Sequence, residues 1–227
     1  MSQRNSMIEY VYQSLKDAIL FRKIAPGTQL VEKTISEKLS VSRTPIRHAV
    51  SKLQQEGLVT VIPNRGAFVV EPTLEEIRQA FYMRKELETM AARLTITKMT
   101  NQHLDEMNAL VQQERITYAK QDILNYIQVN KSFHLYLAQH SGNMFLMEYM
   151  ERILDQTNVY LLLYDVFQDV NMTHSKRFVE HEQYIEAIRN QDIDRLLYVI
   201  DWHINGSLHY MQMDKPTYYS LDSVLEA

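Results

Sequence analysis

The chain has 227 residues, 45% of them hydrophobic and 23% charged, with a formal net charge of −4 and no cysteine. That is room for one large domain or two small ones; it excludes disulfide frameworks, thiolate metal sites and any apolar run of membrane-spanning length. The charge is uneven, 10 Lys and Arg against 6 Asp and Glu through Pro72 and 14 against 22 beyond it, so a basic first third that meets a polyanion is expected.

The N-terminus lacks the apolar core of a signal peptide, and the cytoplasm is the expected compartment. Ser6 to Phe21 reads as an amphipathic helix with Ile8, Val11, Tyr12, Leu15 and Ile19 on one face. Pro26-Gly27 marks a turn. A short helix over Glu32–Leu39 points Ile35 and Leu39 inward. A third helix follows Ser40-Val41-Ser42-Arg43, with Thr44 as its expected N-cap, Pro45 at its first position and Gly57 past its end. Residues 58–62 and 67–70 read as two strands around Pro63-Asn64-Arg65-Gly66.

Three short helices and a hairpin in about 65 residues make a winged helix-turn-helix. With Ile46, Val50 and Leu53 inward, Arg47 and Ser51 face out. Arg43 and Thr44 sit at the helix N-terminus, where backbone N–H groups favour phosphate, and Arg65 stands at the wing tip within reach of a minor groove. The segments Gly27-Thr-Gln-Leu-Val-Glu, residues 42–49 (SRTPIRHA), 53–59 (LQQEGLV) and 64–69 (NRGAFV) resemble the GntR family of bacterial transcription regulators. The resemblance implies DNA contacts by Arg43, Thr44, Arg47, Arg65 and Gly66, with Lys33 on the supporting helix. It usually carries glycine where this chain has Ser40.

Glu71-Pro72 is the expected junction between a DNA-binding domain, 1–72, and an all-helical domain, 73–215. Thr73 to Glu76 has capping-box spacing and opens a helix to about Thr97. Further helices are expected over 100–119, 122–140, 143–168, 174–190 and 192–212, with Asn143, Ser175 and Asp192 as caps. The tail, 216–227, has little pattern and is expected to be loosely held.

Three of these helices carry a histidine on an oily face. His134 lies with Ile127 and Leu137, one turn after Asn130. His181 lies with Phe178, Ile185 and Ile188, and His203 with Leu196, Val199 and Tyr210. A buried imidazole needs partners for its polar atoms. Periodicity leaves two readings open: three separately hydrogen-bonded core histidines, or three ligands to one divalent metal.

The segments Phe81–Glu88, Asn130–His134, Glu180–Ile188 and Asp201–Ile204 are similar to the FCD (FadR C-terminal) effector domain. That resemblance implies a mainly α protein, a winged helix-turn-helix followed by an all-α six-helix effector domain of the shorter, VanR-like branch. It implies a metal held by Asn130, His134, His181 and His203, zinc ahead of nickel or manganese. An amide oxygen at Asn130, where aspartate is commoner, leaves the cation less neutralised and suits an acidic effector. Arg84, between Ile77, Phe81 and Ala91, is the implied contact for a small carboxylate, with Arg177 a second candidate; the alternative for Arg84 is an internal salt bridge to glutamate. The partners expected are an approximately palindromic double-stranded operator, a second copy of the chain and a small carboxylic acid, with no membrane. A metalloenzyme is the competing class, but no general base stands out beside the histidines.

Overall fold

The computed structural model describes residues 3–164, 173–211 and 218–225. They form two compact units, Met1–Thr73 with Met213–Ala227, and Leu74–Gln212. The first boundary falls after Thr73, one residue beyond Pro72.

In the first unit, α1 (Gln3–Leu20) packs on α3 (Arg43–Gln55), and α2 (Glu32–Leu39) also packs on α3. The apolar stripes explain this. Val11, Leu15 and Ile19 of α1 meet Ile46, Ala49 and Leu53 of α3, with Ile35 beside them, all fully or almost fully buried. β1 (Val59–Ile62) and β2 (Gly66–Val69) form the antiparallel wing, paired from Val59↔Val69 to Ile62↔Gly66.

Several local expectations need correction. Helix α3 begins at Arg43, so Thr44 lies inside its first turn; Ser42 holds the cap position, in extended backbone and without a side-chain cap bond. Pro45 is accommodated because the first-turn N–H groups have no partner inside the helix. Ser40 takes the left-handed conformation, φ 52 and ψ 41, where glycine would be relaxed, and its N–H closes α2 onto the Ser36 carbonyl. Gly57, at φ 74, ends α3 as expected. The described part of the tail, 218–225, is held: α10 (Leu221–Val224) packs on α2, Leu221 and Leu225 are buried, and Tyr219 N–H donates to the Lys23 carbonyl at 2.8 Å.

The second unit is a bundle of six helices among the described residues: α4 (Leu74–Thr95), α5 (Asn101–Ala119), α6 (Ile123–His140), α7 (Met144–Tyr164), α8 (Thr173–Arg189) and α9 (Ile193–Tyr210). Helix α6 is central and packs against α4, α5 and α7; α8 lies against α5 and α9, and α9 against α4. Asn143 caps α7 by accepting from the Phe145 and Leu146 N–H groups, and Asp192 caps α9 by accepting from Arg195 N–H. Ser175 falls inside α8, which starts at Thr173, so it is not its cap. The expected end of α7 at 168 lies outside the described residues. At the start of α5, Thr100 and His103 form a capping box, with histidine in the role glutamate usually has.

Candidate metal centre and nucleic-acid interface

The outward face of α3 carries Arg43, Thr44, Arg47 and Ser51, all exposed, while Pro45, Ile46, Ala49 and Val50 hold the helix to the core. Arg47 is engaged by a carboxylate on α2: Nε donates to Glu32 Oε1 at 2.8 Å and Nη2 to Oε2 at 3.3 Å. The pair is exposed and so worth little, and an incoming phosphate or guanine edge can take the same fork. Lys33 on α2 is exposed and 3.9 Å from Glu37. At the wing, the Arg65 guanidinium lies over the Phe68 ring at 5.6 Å, and Gln29 Nε2 donates to the Arg65 carbonyl at 2.7 Å. Gly66 has φ 101, and a Cβ there would come within 3.2 Å of Gln29 Nε2, so the wing tip requires glycine.

The three oily-face histidines converge. The ring centroids of His134 (α6), His181 (α8) and His203 (α9) are 4.8–5.0 Å apart, and one donor atom from each lies within 4.8 Å of the others. All three are buried. Each Nδ1 faces its own glutamate: His134 to Glu88 Oε2 at 3.2 Å, His181 to Glu114 Oε2 at 2.8 Å, His203 to Glu180 Oε2 at 2.7 Å. An ionised carboxylate only accepts, so each Nδ1 carries the proton and each Nε2 keeps its lone pair. Nε2 of His134 and of His181 are buried with no hydrogen-bond partner. Two orphaned lone pairs, three fixed tautomers and a carboxylate behind each ring are what a divalent cation requires of imidazole ligands.

Burial pushes His134 down to about 4 despite the pull of Glu88. It drives His203 well below the usual imidazole range, helped by His181 and His134. Both are therefore neutral at pH 7, the form that binds metal. Burial works against the charge on Glu88 and on Glu114, but it is outweighed by His134 and Arg84 beside Glu88, which hold it at about 2, and by His181 and Asn130 beside Glu114, which hold it below the usual range. Phe133 stacks on His181 at 4.1 Å between centroids and fixes its ring plane.

Asn130 is buried one turn before His134, and its Nδ2 donates to Glu114 Oε1 at 2.9 Å. That leaves the amide oxygen as the end suited to a cation. Glu114 thus holds His181 and Asn130 together. Arg84 forms the internal salt bridge considered as its alternative: Nε donates to Glu88 Oε1 at 2.7 Å, in full burial. Its Nη2 is nevertheless buried without a partner, so part of the fork remains for an anion. Arg177 is buried on α8, and its charge bears on His203.

Residues 79–206 match the family described as "FCD domain", and residues 7–69 match "Bacterial regulatory proteins, gntR family". The chain belongs to the FCD-type gntR family. The "HTH-type transcriptional repressor RspR" of Escherichia coli K12 is 30% identical over 131 residues, 58% of each chain. The chain thus matches a little over half the length of that relative. The E. coli "HTH-type transcriptional regulator McbR" is 29% identical over 148 residues, 65% of this chain and 67% of McbR. The solved structure of E. coli McbR/YncC shares the fold, with a TM-score of 0.64 at 22% identity over 89% of this chain and 95% of its own. So does Listeria monocytogenes Lar, at 0.67, 18%, 89% and 95%. No helix among the described residues is long and apolar enough to cross a membrane.

In this FCD-type protein the carboxylates behind the histidines were not found by sequence reasoning. Glu88 and Glu180 lie in segments that carried the resemblance, and Glu114 had no signal beyond an inward register on α5. They also revise the charge argument for Asn130. The Asn130 amide is neutral, but three glutamates stand directly behind the histidine rings beside it.

Proposed function

We propose that the protein is a DNA-binding transcription regulator, a repressor whose operator binding is relieved by a small carboxylate held beside a divalent metal in the helical domain. The observation that carries this is the coexistence of an exposed arginine-bearing helix in the winged unit with a buried, carboxylate-backed three-histidine cluster in the other. Arg43, Thr44, Arg47, Arg65 and Gly66 contact DNA, supported by Lys33. His134, His181, His203 and the Asn130 amide oxygen hold the metal, zinc ahead of nickel or manganese. A metal there supplies a cationic point for an acid. The chain's own contribution is Arg84, whose Nη2 donates to the acid's carboxylate while Nε stays on Glu88. Arg177 adds positive charge on the α8 side.

Two copies would place two recognition helices on the half-sites of an approximately palindromic operator. The acid acts by binding one DNA-competence state better than the other, so its differential affinity sets the size of the response. The six helices among the described residues of the second unit support the VanR-like branch. The name of RspR as a repressor supports repression over activation. The test is selection of genomic fragments by purified full-length protein, with and without candidate acids. Enrichment of specific fragments that an acid reverses is the expected result; no fragment enriched over random DNA at moderate salt contradicts the reading.

A further inference from the structure

The second unit holds another buried polar group, which neither the metal cluster nor the helix caps use. Asn158, on α7, is 4% exposed, and its Oδ1 is buried without a hydrogen-bond partner. Buried amide oxygens are rarely left so, because the lost hydration is not replaced. Its place follows from the helix register. The short connection between α6 and α7 makes them an antiparallel hairpin, and Lys131 of α6 bonds Asp155 at 2.6 Å and Glu151 at 3.4 Å on α7. Asn158 therefore lies about one turn beyond the level of Asn130, on a helix that also packs against α4, the helix of Arg84. Along the hairpin, the levels of His134 and Asn158 are on the order of 10 Å apart.

The two orphaned groups ask for opposite chemistry. Arg84 Nη2 can only donate, and Asn158 Oδ1 can only accept. A simple monocarboxylate satisfies the first and leaves the second bare. We propose that the effector is an acid bearing a hydrogen-bond donor, a hydroxyl or amine several bonds from its carboxylate, and that Asn158 is the residue that selects for it. This rests on the reading of a carboxylate effector at Arg84. Sites built to bond a hydroxyl discriminate against analogues lacking it far more strongly than apolar pockets discriminate by size, because the protein's own group is then left unpaired.

The test is calorimetric titration of full-length, zinc-reconstituted protein with two matched pairs of acids, 6-hydroxyhexanoate with hexanoate and 4-hydroxybutanoate with butanoate. The wild type is expected to prefer the hydroxy acid of at least one pair by about tenfold or more. Asn158→Leu, close in volume and apolar, erases that preference while binding the unsubstituted acid at least as well. Asn158→Asp keeps an acceptor in the same shape and shifts the preference toward 6-aminohexanoate, which covers the case in which the leucine variant does not fold. Acids that bind without preference, or a preference that survives Asn158→Leu with helicity and zinc content intact, overturn the assignment of Asn158. If no acid of either pair binds the wild type, the carboxylate-effector reading itself falls, and this inference with it.

Discussion

Each histidine of the cluster is fixed from behind by a glutamate, and that makes the glutamates the most informative positions to alter. Glu114→Gln or Glu88→Gln keeps the shape but weakens the hold on the ring tautomer. Metal affinity, read by competition with a chelator, is expected to fall about 10–100-fold, with the fold intact. Asn130→Asp is expected to do more than add charge. The substitution sets a second carboxylate against Glu114, at the place where Asn130 Nδ2 now donates at 2.9 Å. The metal-free variant should lose about 1–3 kcal/mol in a denaturant melt, with stability recovered on metal addition; unchanged stability and unchanged metal affinity contradict the role given to Asn130. Acid should act on the metal-free protein in two stages. In the unfolded chain His134 takes a proton near 6.5, but in the folded chain it waits until about 4, so stability falls as pH drops through that window. The contribution of Glu88 is present above 4.5 and is lost only between there and about 2. The histidines were legible in the sequence because a polar residue on an apolar stripe stands out. Their glutamate partners were not. The chain has 28 acidic residues, and periodicity tells which face a residue occupies but not which helix it meets.

At the level of elements, apolar periodicity located the helices and hairpin of the first unit and the six helices of the second, because each element has one buried face. Caps were less legible: Asn143 and Asp192 serve as expected, whereas Thr44 and Ser175 lie inside their helices. The same residue types serve as caps or sit in the first turn, so composition alone does not choose between them. Ser40 sits in the left-handed region, so Ser40→Gly should stabilise the protein by about 1 kcal/mol in chemical unfolding, provided the flanking bonds persist. The order in residues 218–225 escaped detection because four helical residues give no period; Leu221 and Leu225 are buried, and α10 packs on α2, far away in the chain. Leu221→Ala is expected to cost about 2 kcal/mol, read as an earlier urea transition. No change would mean that α10 contributes nothing to the first unit.

For the whole molecule, the proposed reading divides the chemistry between the two units, with DNA on the exposed face of α3 and the wing, and metal and acid inside the helical bundle. Arg43→Ala is expected to weaken operator binding and to reduce the slope of log affinity against log salt by about one if Arg43 holds a phosphate. A loss of sequence preference with the slope nearly kept would assign Arg43 to a base instead. The measurement that bears most directly on the central claim is the metal content of protein purified without a histidine tag, alongside its thermal midpoint with and without a chelator. One divalent ion per chain, absent in His134→Ala and in His181→Ala, with a midpoint that falls on chelation, is the result expected. Substoichiometric metal in the wild type, with a midpoint that chelation leaves unchanged, would mean that the three histidines are a hydrogen-bonded core and not a metal centre.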